Sequence, residues 1–180
     1  MRIISGSHKG RQITAPSNLP VHPTTDFAKT ALFNILNSYI NVEDLSVLDL
    51  FAGTGNISYE FASRGSKSVT AVDIESKCTS FITSTSEKLN FINIRVIKND
   101  VFNYLDRETG HFDLIFADPP FDMPQLPGIP GLVLRGEALV PGGLFILEHP
   151  KRYDFSEFPG FEQHRNYGEV NFSFFRKTEK

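Results

Sequence analysis

The chain has 180 residues and a net charge of −3, with 40% hydrophobic and 22% charged residues. This length and composition favour one globular domain, residues 1–180, whose core is large enough to need no cross-links. The single cysteine, Cys78, excludes an intramolecular disulfide, and the sequence contains neither a signal-peptide core nor an apolar run of 18 residues. We therefore expect a cytoplasmic protein without a membrane segment.

The first 25 residues form a basic arm, because Arg2, Lys9 and Arg11 occur there without an aspartate or glutamate. Residues 2–6 and 10–14 are β-rich and predict a small hairpin, which a proline-containing linker follows. A basic arm on an acidic body attracts phosphate through its local field. The composition leaves two interpretations open, an RNA contact or a merely solvated hairpin.

A leading helix is predicted over residues 26–41, since apolar residues recur there at 3.6-residue spacing after the capping side chains of residues 24–26. Beyond residue 45, short apolar runs alternate with helical patterns. The predicted strands are 46–51, 68–73, 93–97, 113–117 and 144–148, and the predicted helices are about 56–64, 75–90, 101–107 and 130–139.

Strands that alternate with helices predict right-handed βαβ units and therefore a parallel sheet. Residues 161–166 and 170–176 have no helix between them and should pair as an antiparallel hairpin. A mostly parallel sheet that ends in such a hairpin is the seven-stranded, Rossmann-like sheet of S-adenosylmethionine-dependent methyltransferases. We predict this α/β fold class, with residues 45–180 as the catalytic core behind the N-terminal hairpin and helix.

A cofactor loop is predicted where the first strand of this core gives way to a helix. Gly53 and Gly55 allow a sharp turn and a close approach of the backbone to a ligand, at the switch point of the sheet. A dinucleotide loop would have a third glycine where Ser58 stands. Asp49 would repel a pyrophosphate but suits the positive sulfonium and ammonium groups of S-adenosylmethionine. The motif favours that cofactor, and we assign Phe51 to the same site.

Two more strands are followed by acidic residues that suit the same cofactor. Asp73 ends the second strand, at the position where a carboxylate accepts ribose hydroxyls. Asp100 follows the third strand and could accept from the adenine amino group, while Val101 or Phe102 packs on the adenine ring. Each aspartate alone could instead cap the next helix. Three successive strands with acidic ends favour a cofactor site.

The residues Asp118-Pro119-Pro120-Phe121, after the fourth strand, carry the predicted chemistry. An aromatic exocyclic amine is a poor nucleophile, and two acceptors aimed at its N–H bonds draw the nitrogen toward tetrahedral geometry. The Asp118 carboxylate and the Pro119 carbonyl can supply these acceptors, held by the restricted Pro-Pro backbone. Phe121 offers a ring on which the target base can stack. An isolated motif of this kind could be an ordinary turn, but its position after a glycine loop favours catalysis.

These motifs together resemble the bacterial 16S rRNA guanine-N2 methyltransferase D family over nearly the full length. The glycine loop and the loop at Asp118 are shared with many methyltransferases, whereas the N-terminal segments are more specific to the family. The matching segments are residues 2–6, 9–11, 23–26, 32–34, 49–55, 63–65 and 118–121.

The resemblance implies S-adenosylmethionine as donor and the N2 amine of a guanine in 16S rRNA as acceptor. It implies presentation of the RNA in an assembling 30S particle, with Arg2, Lys9, Arg11 and Thr24 as RNA contacts. We expect a monomer without a membrane partner. The five histidines are scattered without ligand spacing, so we expect no metal.

The chain departs from the family pattern in its N-terminal segment. His22 and Phe27 stand where the family usually has arginine, and Thr30 stands where it usually has glutamate. Lys29 keeps one positive charge in this segment, which is expected to meet RNA or to order a lid over the cofactor. These departures concern the choice of substrate more than the reaction.

Two classes of alternative remain open from the residues. DNA adenine or cytosine methyltransferases and protein glutamine methyltransferases have related loops, although DNA enzymes usually carry an added recognition domain, and the glutamine enzymes normally have asparagine at the position of Asp118. A non-catalytic RNA-binding assembly factor on the same scaffold is the second alternative. The intact strand-end aspartates argue against it.

Overall fold

A computed structural model describes residues 1–109 and 111–179. Within these ranges, seven strands form one sheet in the order β3-β2-β1-β4-β5-β7-β6. Strands β1 to β5 are parallel, and β7 pairs antiparallel with both β5 and β6. This is the predicted mostly parallel sheet with a C-terminal hairpin. The strands are β1 (Ser46–Leu50), β2 (Ser68–Asp73), β3 (Ile94–Lys98), β4 (Phe112–Ala117), β5 (Leu139–His149), β6 (Phe161–Tyr167) and β7 (Val170–Arg176).

Helices cover both faces of this sheet, as buried parallel strands require. One hydrophobic core contains apolar residues of α1, α2 and α3, and the second, on the opposite face, contains those of α4 and α5. In the described ranges, no helix is long and apolar enough to cross a membrane. The helices are α1 (Asp26–Asn37), α2 (Asn56–Ser63), α3 (Ser76–Lys88), α4 (Val101–Arg107) and α5 (Ile129–Arg135).

The predicted N-terminal hairpin is wrong in detail. Residues 2–6 and 10–14 form no strands but make one antiparallel bridge, between Arg2 and Gln12. The two segments still pair through their backbones, since the Ile3 N–H donates to the Arg11 carbonyl at 3.0 Å and the Ile13 N–H to the Met1 carbonyl at 2.9 Å. The arm is also held against α2, where the Ser7 N–H donates to the Ser63 carbonyl at 2.8 Å. A two-stranded ribbon is marginal alone, so docking on a helix supports this short pairing.

Two helix ends also differ from the prediction. Helix α1 ends at Asn37 rather than 41. Helix α5 ends at Arg135 rather than 139, because β5 already begins at Leu139. The strand continues through Gly142, predicted to be loop, where a φ of 75° and a register shift against β4 make a bulge. The apolar residues before and after Gly142 and Gly143 are compatible with a strand that begins on either side of these glycines, so the sequence pattern did not locate the start of β5.

Candidate active site

The carboxyl ends of β2, β1, β4 and β5 meet at one edge of the sheet, and each brings an acidic side chain there. Asp73 is the last residue of β2, and Asp49 is the last but one of β1. Asp118 directly follows β4, and Glu148 is the last but one of β5. The Asp118 N–H extends the β4 ladder by donating to the Leu50 carbonyl at 3.3 Å. We call these four side chains the carboxylate edge.

Burial perturbs three members of the carboxylate edge, of which Asp49 and Glu148 are buried and Asp118 keeps partial exposure. Burial raises the pKa of Asp49 to about 7 and that of Glu148 to about 7, and the charges of neighbouring carboxylates add to both rises. Hydrogen bonds from Ser58 to Asp49 at 2.6 Å and from Thr24 to Glu148 at 3.2 Å oppose them. Burial, with the charges of Glu148 and Asp49, also raises the pKa of Asp118 well above its usual range.

None of the salt bridges in the described ranges includes Asp49, Asp118 or Glu148. Buried carboxylates are normally paired, so three of them without a cation are costly to ionise. The edge therefore has the electrostatic character of a site that receives a cation or several N–H donors. Such clusters of perturbed groups are typical of functional sites.

The glycine loop adopts the backbone conformation that its sequence predicts. Gly53 has φ 57° and Gly55 has φ 82°, the region that glycine occupies without a steric cost. At Gly55 a side chain would lie 2.7 Å from the Tyr59 ring. At Gly53 it would contact Val21 at 3.5 Å, so the segment before α1 lies over the loop. The Gly53 N–H donates to Asp73 at 2.8 Å, which fixes the loop to the end of β2.

The remaining predicted cofactor residues border this loop. Asp73 also accepts from the Glu75 N–H at 2.8 Å, so it both orders the backbone and keeps lone pairs for a ligand. Asp100 caps α4 by accepting from the Asn103 N–H at 3.0 Å, which is the alternative that the sequence left open. Val101 is buried in the core.

Phe51 and Phe102 form an aromatic wall beside the loop. Their ring centroids lie 6.4 Å apart in an edge-to-face arrangement, and both side chains are half-buried. Phe51 has φ 58°, an uncommon conformation for a non-glycine residue that marks this turn as strained. Of the two residues offered to an adenine ring, Phe102 is therefore better placed than the buried Val101.

The loop at Asp118 keeps one backbone acceptor open. Pro119 is buried, whereas Asp118 and Phe121 retain partial exposure. The Pro120 carbonyl accepts from the Met123 N–H at 3.0 Å, but no residue that the structure describes donates to the Pro119 carbonyl. The Phe121 carbonyl accepts from Arg152, which ties the far end of the loop to the segment after β5. The loop is thus anchored and leaves the Pro119 carbonyl open, and the roles of Asp118 and Pro119 as amine acceptors stay a prediction.

The four predicted RNA contacts divide into two groups. Arg2, Lys9 and Arg11 are exposed on the arm, as an RNA contact requires. Thr24 is not on that surface: it is buried, and its hydroxyl donates to Glu148. The prediction of Thr24 as an arm contact is corrected accordingly, because the linker folds inward over the glycine loop and carries Thr24 to the carboxylate edge.

Lys29 also has a different position from the one predicted. It is fully buried, with its ammonium 3.2 Å from the Glu60 carboxylate, so its charge is not presented to RNA. Phe27 is 70% exposed and makes an edge contact with Tyr167. Thr30 bonds only to the α1 backbone, through the Asp26 carbonyl at 2.7 Å.

Sequence reasoning did not assign Glu148, Ser58 or the bond between Thr24 and Glu148. Glu148 carried the same signal as Asp118, an acidic residue at the carboxyl end of a core strand. The partners of Ser58 and Thr24 lie 9 and 124 residues away in sequence, and no local pattern reports such pairs.

The residues at this edge fit S-adenosylmethionine and no metal cluster. In the described ranges, no three or more His, Cys, Asp or Glu residues are placed to hold a metal ion. The carboxylate edge lacks a cation, and the cofactor carries two positive groups. The aromatic wall of Phe51 and Phe102 can take its adenine.

Comparisons with known proteins identify the family of the chain. A family model described as "Conserved hypothetical protein 95" matches residues 1–176. The chain is 34% identical over 165 residues to YlbH of Bacillus subtilis (strain 168), named as a presumptive rRNA methyltransferase, covering 89% of this chain and 88% of that protein. It is 30% identical over 155 residues to the ribosomal RNA small subunit methyltransferase D of Haemophilus influenzae, covering 84% and 79%.

A solved structure confirms the fold. The 16S rRNA N2 G1207 methyltransferase of Thermus thermophilus, in complex with AdoMet and guanosine, superposes with a TM-score of 0.70 over 88% of this chain and 44% of that one. Its 22% identity carries the fold alone. The family match covers almost the whole chain, so the predicted family is confirmed. The chain therefore belongs to the "Conserved hypothetical protein 95" family, that of ribosomal RNA small subunit methyltransferase D, and is a methyltransferase.

Proposed function

We propose that this enzyme transfers a methyl group from S-adenosylmethionine to the exocyclic N2 amine of a guanine in 16S rRNA. The observation that carries the proposal is the carboxylate edge: Asp49, Asp118 and Glu148 are held close together and have no cationic partner among the described residues. A positive methyl donor and an N–H-rich acceptor supply what this edge lacks.

The seven predicted residues and Phe102 would hold the cofactor, and they have different tasks. Asp49 faces its positive groups, Asp73 accepts from the ribose hydroxyls, and Asp100 accepts from the adenine amine through the oxygen that does not cap α4. Phe51 and Phe102 border the adenine, and Val101 supports that wall from the core. Gly53 and Gly55 let the backbone approach the ligand.

When bound, the cofactor supplies an electrophilic methyl group on a sulfonium. The Asp118 carboxylate and the Pro119 carbonyl each accept one N–H bond of the target amine, which directs the nitrogen lone pair at that methyl carbon. A bound cofactor would give up its methyl carbon to this nitrogen, and its sulfur would keep the electron pair of the broken C–S bond. Positive charge develops on nitrogen beside Asp118, which stabilises it and can take up the released proton. Phe121 stacks on the base.

The relatives and the arm support the proposed RNA substrate and its setting. Relatives named for small-subunit rRNA make 16S rRNA the favoured substrate, presented in an assembling 30S particle. The exposed Arg2, Lys9 and Arg11 supply phosphate contacts that the acidic body does not. We expect a monomer that works in the cytoplasm, where ribosomes assemble.

The test is transfer of radiolabelled methyl from S-adenosylmethionine, offered in parallel to unmodified 30S particles, naked 16S rRNA, duplex DNA and a release factor. The product is digested to nucleosides or peptides. N2-methylguanosine from the particle is the expected result. Label in DNA or protein would overturn the substrate, and failure to bind the cofactor would favour a non-catalytic assembly factor.

A further inference from the structure

Glu148 is a buried carboxylate at the active edge to which the methyl-transfer steps above give no task. It is 4% exposed. Strands β4 and β5 pair up to Ala117 and Leu147, so Asp118 and Glu148 are the next residues along the two neighbouring strands, and the charge of Glu148 acts on Asp118. Neighbours in register point to the same face of a sheet. A base whose amine is held at Asp118 therefore meets Glu148 with the adjoining part of its edge.

One half of this carboxylate is held in place and the other half is open. The Thr24 hydroxyl donates to Oε2 at 3.2 Å. Thr24 is fixed in turn, because its carbonyl accepts from the Asn56 amide at 2.7 Å, and Asn56 accepts from Lys29 at 2.7 Å. No residue that the structure describes donates to Oε1. The buried side-chain atoms without a partner in the described residues do not include Oε1, so this oxygen is accessible and can accept from a ligand.

The bases differ in what they place beside their exocyclic amines. Guanine has the N1–H donor next to its N2 amine. Adenine and cytosine have an unprotonated ring nitrogen, an acceptor, next to theirs. A carboxylate beside the amine acceptors would therefore accept from the N1–H of guanine. In adenine or cytosine the same carboxylate would face the lone pair of a ring nitrogen, which disfavours these bases.

We propose that Glu148 accepts the N1–H of the target guanine and is a specificity-determining residue, with Thr24 as the residue that positions it. This inference rests on the proposed function and deepens it. The amine acceptors at Asp118 and Pro119 serve any exocyclic amine, whereas Glu148 selects the base that carries the amine.

The test uses 2-aminopurine, which keeps the amine at position 2 but has an unprotonated N1. Wild-type enzyme first maps the target nucleotide by formation of N2-methylguanosine in unmodified 30S particles. Particles are then reconstituted with guanine or 2-aminopurine at that nucleotide. We expect wild type to prefer guanine in kcat/KM by at least about 100-fold, since a site built for a substrate donor rejects the analogue without it.

The Glu148→Gln variant separates N1 recognition from other differences between the two bases. The amide is a weaker acceptor for the guanine N1–H than a carboxylate, so we expect kcat/KM for guanine to fall by about 10- to 100-fold. It can also donate to the N1 of 2-aminopurine, so the preference for guanine over 2-aminopurine should shrink to about tenfold or less. Glu162→Gln, at a half-exposed ion pair on β6, is the matched control and should keep the wild-type preference.

Equal transfer by wild type to both bases would overturn the inference, and this comparison needs no variant. A full guanine preference in folded, cofactor-binding Glu148→Gln would overturn it as well. If wild type formed no N2-methylguanosine in any particle, the proposed function would fail first, and the inference with it.

Discussion

Two buried carboxylate sites lie on this scaffold, and they are built in opposite ways. Glu60 on α2 is fully buried and has four donors: the Lys29 ammonium at 3.2 Å, the Arg64 guanidinium at 2.8 Å and the N–H groups of Ile4 and Ser5. The carboxylate edge has aspartates and a glutamate that receive a few neutral donors and no cation among the described residues.

The difference separates a structural site from a functional one. At Glu60 the protein itself satisfies the charge, and the result is an arm tied to α2 and α1. At the carboxylate edge the charge stays unsatisfied, which makes the edge unstable alone and receptive to a cation or an N–H donor. Glu60 is buried and charged without being part of the proposed active site. The feature that distinguishes the carboxylate edge is that no cationic side chain of the described residues pairs with it.

The largest stability effect that tests this comparison is expected at the satisfied site. Glu60→Gln should lower the free energy of unfolding by about 3 to 5 kcal/mol, because Lys29 would keep a buried charge with one partner fewer. Urea unfolding measures it. Glu162→Gln makes the same change at the half-exposed pair with Arg176 and should cost at most about 1 kcal/mol. Equal effects at the two sites would contradict the structural role of Glu60.

The same substitution at Glu148 should have the opposite sign. Burial raises the pKa of Glu148 to about 7, so above pH 7 the folded protein holds an ionised carboxylate that Gln replaces with a neutral group. We expect Glu148→Gln to raise the free energy of unfolding at pH 8 by up to about 3 kcal/mol. Destabilisation at pH 8, measured by urea unfolding without cofactor, would show that the edge is satisfied by contacts already present.

The pH dependence of stability follows from the same groups. Burial raises the pKa values of Asp49 and Glu148 to about 7, so between about pH 4 and 7 the folded state binds more protons than the unfolded state. The free energy of unfolding therefore falls as pH rises through this window. S-adenosylmethionine should bind more tightly as pH rises through about 7. A flat urea-unfolding profile from pH 5 to 8 would contradict this account.

Cofactor binding gives the next smaller effect. Asp73→Ala should weaken S-adenosylmethionine binding by about 10- to 100-fold, since two hydroxyl donors of the ribose lose the side chain that accepts from them. Calorimetric titration measures the affinity. Asp113→Ala is the matched control, because Asp113 bonds Ser46 at the opposite end of the strands. Unchanged affinity in Asp73→Ala would reduce Asp73 to an organiser of the loop backbone.

The arm should give the smallest change per residue. Replacing Arg2, Lys9 and Arg11 together with glutamine should weaken binding to 30S particles and lower the salt slope of log K by about 2 to 3, since each exposed cation releases about one counterion. Filter binding at several salt concentrations measures the slope. An unchanged slope would make the arm a purely structural extension of the Glu60 site.

The sequence predicted the sheet, the glycine loop and the strand-end positions of Asp49 and Asp118, because periodicity and strand-end position are local signals. It did not predict that Lys29 is buried or that Thr24 reaches Glu148, because those contacts depend on how a linker folds over the sheet. The Thr30 hydroxyl donates to the Asp26 carbonyl of its own helix, and nothing in the structure explains this departure from the family pattern.

The central claim is that Asp118 serves the reacting amine and not the cofactor. The most direct measurement is kcat and cofactor affinity in Asp118→Asn, with the exposed neighbour Asp122→Asn as control. We predict a fall in kcat of about 10²- to 10³-fold, the usual cost of losing one transition-state contact, with cofactor affinity within about threefold of wild type. Full turnover in Asp118→Asn, or a loss confined to cofactor binding, would contradict the account.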